Sequence, residues 1–235
     1  MWIGLVGSEM CIRDRAMIDM FNAMVDEMFE YGRFILKEKR KNPANDLLSA
    51  IANAEINGEK LSDEFLDGSW LLIIFAGNDT TRNTMSGGIK LLHENQKQKE
   101  MLIDNLELLP NFINETVRCV SPVIHMRRTS LEETEINGQK IGPYEKIALW
   151  YGAANRDPDV FEDPDKFNIL RDNADKHLAF GIGRHTCIGK PVSLMQLQEF
   201  YSQFLTRFQD FEMNGEWKVA PNNFVHAIQE MPVKF

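Results

Sequence analysis

The 235-residue sequence is poor in cysteine, and its three cysteines, Cys11, Cys119 and Cys187, lie far apart. They are too few and too scattered for a disulfide framework, which relies on many closely spaced cysteines. No Cys-x-x-Cys pair or Cys/His cluster indicates a zinc site. A reducing compartment is the simplest interpretation, and we therefore expect a cytoplasmic protein.

Long apolar runs and an excess of basic residues are also missing. A membrane-spanning helix needs about 20 apolar residues, and the longest apolar run, Trp70 to Ala76, is far shorter. No basic residue precedes the apolar start of the chain, so a signal peptide is not expected. Asp and Glu outnumber Lys and Arg by 35 to 26, which gives a formal net charge of -9. Nucleic acid is therefore not expected as a partner, because binding phosphates requires a basic surface.

What is present is an ordinary globular composition, with 43% hydrophobic and 26% charged residues. The first fifteen residues, Met1 to Arg15, are an exception. They show neither a sustained helical period nor a strand period, and they look like translated adapter sequence. We expect residues 1–15 to be a non-native scar, and a native irregular arm is the alternative.

From Ala16 onward the pattern predicts helices first and short strands afterwards, a mainly α fold with small β-sheets. Helices are predicted from Met17 to Lys41, over 44–55, from an N-cap at Ser62 to His93, and over 96–105, 111–119 and 188–208. Strands predicted over 124–129, 133–136 and 146–149 would form a small sheet, and the Pro- and Asp-rich stretch 155–175 has no period. Gly77, Gly87 and Gly88 inside the long helix indicate close approaches to neighbouring elements.

The strongest motif is the glycine-rich string Phe-Gly-Ile-Gly-Arg-His-Thr-Cys-Ile-Gly at 180–189, directly before the last predicted helix. Glycines there permit positive φ and let the backbone approach a flat ligand. Backbone N–H groups and the helix dipole stabilise a thiolate at a helix start. An arbitrary cysteine is more often a buried small hydrophobe, but this string resembles, at every fixed position, the haem-ligand loop of the cytochrome P450 family. The resemblance implies that Cys187 binds the iron of haem b, in a loop formed by Phe180, Gly181, Gly183 and Gly189.

A second motif, at 76–81, lies in the middle of the long helix. The Thr80 hydroxyl can bond to the carbonyl of Ala76, which would bend or open the helix and leave room for water. Taken alone, such a polar turn is usually a solvated face. The resemblance implies that Asp79 and Thr80 are an acid–alcohol pair, in which Asp79 feeds protons and Thr80 holds the hydrogen-bond network that delivers them to dioxygen.

The third motif is Glu115 with Arg118, which share one helical face at spacing i,i+3. A surface bridge is the ordinary interpretation of such a pair. The resemblance implies instead a buried structural network that Arg171 completes, following the Phe-x-x-Pro-x-x-Phe string from Phe161 to Phe167. It also implies that Arg128 and His185 bind the haem propionates, as cations facing carboxylates.

The order of these motifs resembles the family from Ala16 to Phe235. It implies a haem-thiolate monooxygenase that inserts one oxygen atom from O2 into an unactivated C–H bond of a lipophilic substrate. Segments 77–88 and 125–129 look like soluble bacterial forms that hydroxylate the ends of alkanes, fatty acids or related lipids. A group that oxidises sterol and terpene side chains shares this pattern and stays an alternative. A peroxygenase would need no acid–alcohol pair, which counts against it.

The resemblance also implies what precedes this part of the family pattern and which residues line the substrate pocket. Family members carry a substantial portion before the first helix seen here, so we expect 16–235 to be the C-terminal portion of a single haem-binding domain, inactive by itself. Val123, Ile124 and the helix near Ile73 to Ala76 are the expected pocket walls.

No flavin or iron–sulfur motif is present, so a ferredoxin and an NAD(P)H-dependent ferredoxin reductase are the expected electron donors. Their docking is expected near Lys176, Arg184 and Lys190, with a solvated face as the alternative.

Overall fold

The computed structural model describes the backbone of residues 4–235 and the side chains from Arg15 onward. The fold is mainly α with small β-sheets, as predicted. The chain divides into two compact units, one ending at Ala76 and the other beginning at Gly77. Among the described residues, no helix is long and apolar enough to cross a membrane.

The first unit contains two helices, a hairpin and the start of a third helix. The elements are α1 (Gly4–Lys41), α2 (Leu47–Asn53), β1 (Glu55–Ile56), β2 (Glu59–Lys60) and the first half of α3 (Asp63–Glu94). Buried Leu36, Ala52, Leu66 and Trp70 form its core. The Arg40 guanidinium fixes α1 to α2 by donating from Nε to the carbonyl of Ala52, at 2.8 Å.

The helix α1 begins at Gly4, within the tract that shows no regular period in the sequence. Residues 1–3 lie outside the described residues. Whether residues 1–15 are a non-native scar stays a prediction. The other end of α1 agrees with the prediction, because the helix stops at Lys41, two residues before Pro43.

The long helix α3 begins as its cap predicts, since the Ser62 hydroxyl accepts from the N–H of Phe65 at 3.2 Å. Helical structure then continues to Glu94 without interruption. The opened turn predicted around Thr80 is therefore absent. Thr84 shows why a back-bonded threonine does not open a helix: its hydroxyl donates to the Thr80 carbonyl at 2.8 Å while the helix runs on, because a carbonyl oxygen has two lone pairs.

The second unit contains the remaining helices. They are the second half of α3, α4 (Gln96–Asp104), α5 (Leu109–Val120), α6 (Tyr151–Ala154) and α7 (Lys190–Arg207). The helix α5 begins before Pro110 instead of after it, because a proline in the first turn lacks only an N–H that has no helical partner. It ends at Val120, and its C-cap Ser121 is left-handed with φ of 43°.

The strands pair as separate two-stranded antiparallel sheets, five of them in the described part of the chain, and not as one small sheet. Besides β1 with β2, the pairs are β3 (His125–Thr129) with β6 (Lys146–Trp150), β4 (Thr134–Ile136) with β5 (Gln139–Ile141), β7 (Glu212–Met213) with β10 (Val233–Lys234), and β8 (Lys218–Val219) with β9 (Ile228–Glu230). Strands of two or three residues are too short to show an alternating pattern, so the sequence does not reveal β1, β2, β5 or β7 to β10. The helix predicted over 44–55 is shorter, Leu47–Asn53, and Glu55 lies in β1.

The core of the second unit forms where α3, α5 and α7 meet. Tyr201 of α7 is fully buried, and its hydroxyl donates to the carbonyls of Thr84 and Met85, at 2.9 and 3.0 Å. A Cβ added at Gly88 would clash with the Tyr201 hydroxyl and would lie 2.9 Å from Cγ2 of Thr116. The predicted close approach is therefore present at Gly88, where only a residue without a side chain fits. The prediction is wrong for Gly77, because nothing lies within 4 Å of a Cβ added there.

Replacing Gly88 with alanine should destabilise the chain even though alanine favours a helix by about 1 kcal/mol. We expect the free energy of unfolding to fall by about 1–3 kcal/mol, as is typical of an overpacked core. Gly77→Ala is the matched control, because nothing lies within 4 Å of its added Cβ. The control should gain about 0.5–1 kcal/mol. Urea unfolding of the two variants measures both changes, and equal effects would contradict the close approach.

Candidate functional site

The Cys187 loop is shaped by backbone hydrogen bonds and two left-handed glycines. Gly181 and Gly183 have φ of 70° and 71°, a region that side chains disfavour. The N–H of Gly181 donates to the Leu178 carbonyl, and the N–H of Cys187 donates to the Phe180 carbonyl, both at 2.8 Å. These bonds fold 178–187 back on itself and hold the Cys187 backbone beside Phe180.

The Cys187 loop carries exposed apolar side chains. The Cys187 thiol is exposed, and the neighbouring Ile182 and Ile188 are 75% and 84% exposed. Cys119 differs, because burial, followed by the nearby Glu115 carboxylate, raises the pKa of its thiol to about 11. Of these two cysteines, only Cys187 offers an accessible sulfur to a ligand.

The three residues predicted as a structural network are in contact and buried. Both carboxylate oxygens of Glu115 accept hydrogen bonds, from Arg118 Nε at 2.7 Å and Nη2 at 2.8 Å, and from Arg171 Nε at 3.1 and 3.2 Å. Glu115 and Arg118 are 0% exposed, so the pair is not a surface bridge. Burial opposes the charge of Arg118, but the Glu115 carboxylate holds the pKa of that guanidinium above its ordinary value.

The two arginines also bind backbone carbonyls of the irregular stretch 155–175. Arg118 Nη1 donates to the carbonyls of Asn155 and Pro164, both at 2.7 Å. Arg171 Nη1 donates to the carbonyl of Glu162 at 2.6 Å. The Phe161 ring lies 5.1 Å from the Arg118 guanidinium, a cation–π distance. The network therefore fixes this stretch against α5.

Comparison with known proteins identifies the family of this sequence. The sequence model of the Cytochrome P450 family matches residues 8–234. The chain belongs to the cytochrome P450 family. It is 36% identical over 210 residues to linalool 8-monooxygenase from Pseudomonas putida, covering 89% of this chain and 52% of that protein. It is 36% identical over 208 residues to steroid C26-monooxygenase from Mycolicibacterium smegmatis, covering 88% and 52%.

A solved structure agrees with the curated relatives. Cytochrome P450-153 from Novosphingobium aromaticivorans superposes with a TM-score of 0.84 at 35% identity, covering 94% of this chain and 55% of that chain. This P450 chain thus spans about half the length of the curated relatives it matches. The cytochrome P450 family uses a haem with a thiolate ligand.

The residues of this P450 chain fit such a group. A haem needs an axial ligand, an apolar surface for its flat ring, and cations for its propionates. Cys187 is exposed, and the same loop carries the exposed apolar side chains of Ile182 and Ile188. A Cβ on Gly181 would come 3.2 Å from the carbonyl oxygen of His185, so the compact turn that presents the thiol requires glycine. His185, a predicted propionate ligand, is exposed on this loop.

Arg128, the other predicted propionate ligand, lies on β3 and not on the Cys187 loop. It is half-buried, and it pairs with Ile147 of β6 in the strand register. Its Nη1 donates to the carbonyl of Arg127 at 2.8 Å. Directly before β3, the Ile124 carbonyl accepts from the N–H of Tyr151 in α6 at 3.1 Å.

The predicted acid–alcohol pair lies on α3 of the P450 chain. The Asp79 carboxylate accepts from Arg82 Nη2 at 2.6 Å in an i,i+3 ion pair that is partly open to solvent. The neighbouring Thr81 is buried, and its hydroxyl lies 3.0 Å from that of Ser193 in α7. No sequence signal indicated this contact, because the two residues are 112 positions apart.

Neutralising the carboxylate of the network should be costly. Glu115→Gln keeps the shape but leaves two buried guanidinium groups without a counter-charge, so we expect the free energy of unfolding to fall by about 3–5 kcal/mol. Glu230→Gln is the control, because it removes the charge from an exposed ion pair with Lys218. The Glu230 and Lys218 side chains are 59% and 63% exposed. The control should cost about 1 kcal/mol or less. Similar losses in chemical denaturation would show that burial of the network adds nothing.

Proposed function

We propose that the protein acts as a haem-thiolate monooxygenase that inserts one oxygen atom from O2 into an unactivated C–H bond of a lipophilic substrate. The observation that carries this proposal is the exposed thiol of Cys187, held on a loop with two left-handed glycines in a cytochrome P450 chain. Haem supplies the oxidation chemistry when bound, and the protein positions the reactants and protons. The proposal favours terminal hydroxylation of alkanes, fatty acids or related lipids.

In this proposal the predicted residues on the Cys187 loop, together with Arg128, hold the cofactor. Cys187 is the metal ligand. Arg128 and His185 bind the propionates. The remaining loop residues shape the backbone that presents the thiol, and they are Phe180, Gly181, Gly183 and Gly189. Glu115, Arg118 and Arg171 keep the surrounding fold intact and take no part in the chemistry.

Proton delivery is assigned to Asp79 and Thr80. The Asp79 carboxylate is 41% exposed as a side chain, so it can exchange protons with solvent, and Arg82 holds its position. The pair favours a monooxygenase over a peroxygenase, because a peroxygenase uses peroxide directly and needs no such relay.

Oxidation of sterol or terpene side chains is the second candidate for the substrate class. It is supported by the names of the two curated relatives, a linalool 8-monooxygenase and a steroid C26-monooxygenase. Val123 and Ile124, the expected wall positions, are both half-buried and apolar, so they suit either class. The chain spans about half the length of these relatives and is expected to be inactive by itself. Identifying the products that a protein of the relatives' full length, carrying this sequence, forms from a fatty acid, an acyclic terpene alcohol and a sterol therefore separates the two candidates.

The ligand assignment is tested with paired cysteine variants. The chain is supplied with haem and reduced, and carbon monoxide is added. We expect the red-shifted Soret band of a thiolate-ligated haem for the unsubstituted chain, and its loss in Cys187→Ala, because Cys187 is the exposed one of the two cysteines whose side chains the structure describes. Cys119→Ala should keep the band, since the Cys119 thiol is buried and stays protonated. A band that survives in Cys187→Ala would refute the assignment.

Electrons are proposed to come from a ferredoxin, itself reduced by an NAD(P)H-dependent reductase. A chain with a formal charge of -9 repels an acidic donor except at a local basic patch. Lys176 and Arg184 are exposed near the Cys187 loop, and Lys190 lies with its Nζ 5.5 Å from the Phe180 ring. These three cations make the Cys187 loop the proposed docking face.

Docking at this face predicts a salt-dependent rate of reduction. With haem-loaded chain and an acidic ferredoxin, we expect the second-order rate constant to fall by about tenfold or more as ionic strength rises to physiological values. The variant Lys176→Gln/Arg184→Gln should lower the rate at low salt and flatten its salt dependence. Lys140→Gln, on the β4–β5 hairpin, should change neither. A rate independent of salt would contradict the docking face.

A further inference from the structure

Asn155, directly after α6, is completely buried, and its backbone and side chain make hydrogen bonds in four directions. Its N–H donates to the Tyr151 carbonyl at 2.8 Å, which continues α6. Its carbonyl accepts from Arg118 Nη1 at 2.7 Å. A buried amide of this kind is costly unless its donors and acceptors are paired. The partners of its side-chain hydrogen bonds therefore indicate the structural role of Asn155.

One side-chain bond joins Asn155 to the end of α5. Its Nδ2 donates to the Ser121 hydroxyl oxygen at 2.8 Å, and that hydroxyl donates to the Arg118 carbonyl at 2.8 Å. Ser121 is itself completely buried, at the left-handed residue where α5 ends. Together with the bond from Arg118 Nη1, this places Asn155 on the same scaffold as the Glu115 network.

The other side-chain bond reaches the Cys187 loop. The N–H of Leu178 donates to Asn155 Oδ1 at 2.6 Å. The Leu178 carbonyl accepts from the N–H of Gly181 at 2.8 Å, which closes a turn. Within this turn, the Phe180 carbonyl accepts from the N–H of Cys187, also at 2.8 Å. Three hydrogen bonds in series thus run from the Asn155 amide to the Cys187 backbone.

A contact through α6 points to the same loop. Tyr151, four residues before Asn155, is buried, and its hydroxyl oxygen lies 3.6 Å from the position of a Cβ added at Gly181. The N–H of Tyr151 also donates to the Ile124 carbonyl at the start of β3. The short helix α6 therefore contacts the Cys187 loop and the strand that bears Arg128.

We propose that Asn155 is a positioning residue that sets the backbone of the Cys187 loop by tying it to the Glu115–Arg118–Arg171 network. The inference rests on the proposed function, in which Cys187 is the haem ligand. An asparagine suits this place because its side chain offers an acceptor to Leu178 and a donor to Ser121 at once. Aspartate can accept but cannot donate, and alanine can do neither.

The test is native-state hydrogen exchange of the Leu178 and Cys187 amides in the full chain without haem. Asn155→Ala should speed exchange at both amides by about tenfold or more relative to the global unfolding rate, because the turn loses a fixing hydrogen bond. Asn155→Asp keeps the acceptor for Leu178, so it should retain most of the protection. The aspartate variant also keeps the proposal testable if the alanine variant does not fold.

Asn111→Ala is the matched control. Its Nδ2 likewise joins α5 to the irregular stretch, by donating to the carbonyls of Ile169 and Arg171, at 2.7 and 3.1 Å. A purely structural loss of packing should resemble this variant, with lower global stability and no selective exposure of Leu178 and Cys187. Equal acceleration in Asn111→Ala, or none in Asn155→Ala, would overturn the positioning role.

A second readout uses the haem-loaded chain. Asn155→Ala should shift or broaden the thiolate Soret band given by carbon monoxide, Asn155→Asp should restore it in part, and Asn111→Ala should leave it in place. An unchanged band in Asn155→Ala would overturn the effect on the ligand. The two proposals can fail separately, because loss of the thiolate assignment would appear in Cys187→Ala while amide exchange needs no haem.

Discussion

The buried carboxylate of Glu115 is the constraint on which the second unit depends. Removing a carboxylate from water costs several kcal/mol unless every lone pair is satisfied, and here Arg118, Arg171 and the N–H of Asn168 satisfy them. The two guanidinium groups in turn need acceptors, which are backbone carbonyls of the stretch 155–175. Those carbonyls are used by arginine and not by a helix or strand. The irregular course of this stretch is therefore a consequence of burying one charge.

The same network is also linked by hydrogen bonds to the start of the Cys187 loop, at Leu178. The loop leaves the irregular stretch at Leu178, where the backbone N–H is already committed to Asn155. Two left-handed glycines then reverse the chain within a few residues, so that Cys187 returns to the carbonyl of Phe180. A burial problem on α5 and the placement of an exposed thiol are in this way parts of one hydrogen-bonded arrangement.

Local signals gave the helices and the loop, and long-range contacts lay beyond them. Ser62 and Pro43 predicted helix ends to within two residues because caps and prolines act on their immediate neighbours. The cysteine string predicted the family because its shape is encoded in ten adjacent residues. The prediction of an opened turn at Thr80 was wrong, because α3 is continuous from Asp63 to Glu94. The Thr81–Ser193 contact and the role of Asn155 could not be read from sequence, because their partners are distant along the chain and an isolated polar residue has no period.

The other end of the cysteine loop is fixed by the core and not by charge. The loop passes at Gly189 into α7, whose Ser193 and Tyr201 bond to α3. Gly88 allows Tyr201 to reach the α3 backbone, so the position of α7 depends on a missing side chain one helix away. The loop that carries the thiol is therefore fixed at both ends by different interactions. Before the loop these are hydrogen bonds linked to the buried charge network, and after it they are the close packing of α7. An exposed loop without a core of its own needs both, because neither anchor alone fixes the direction in which the loop crosses the surface.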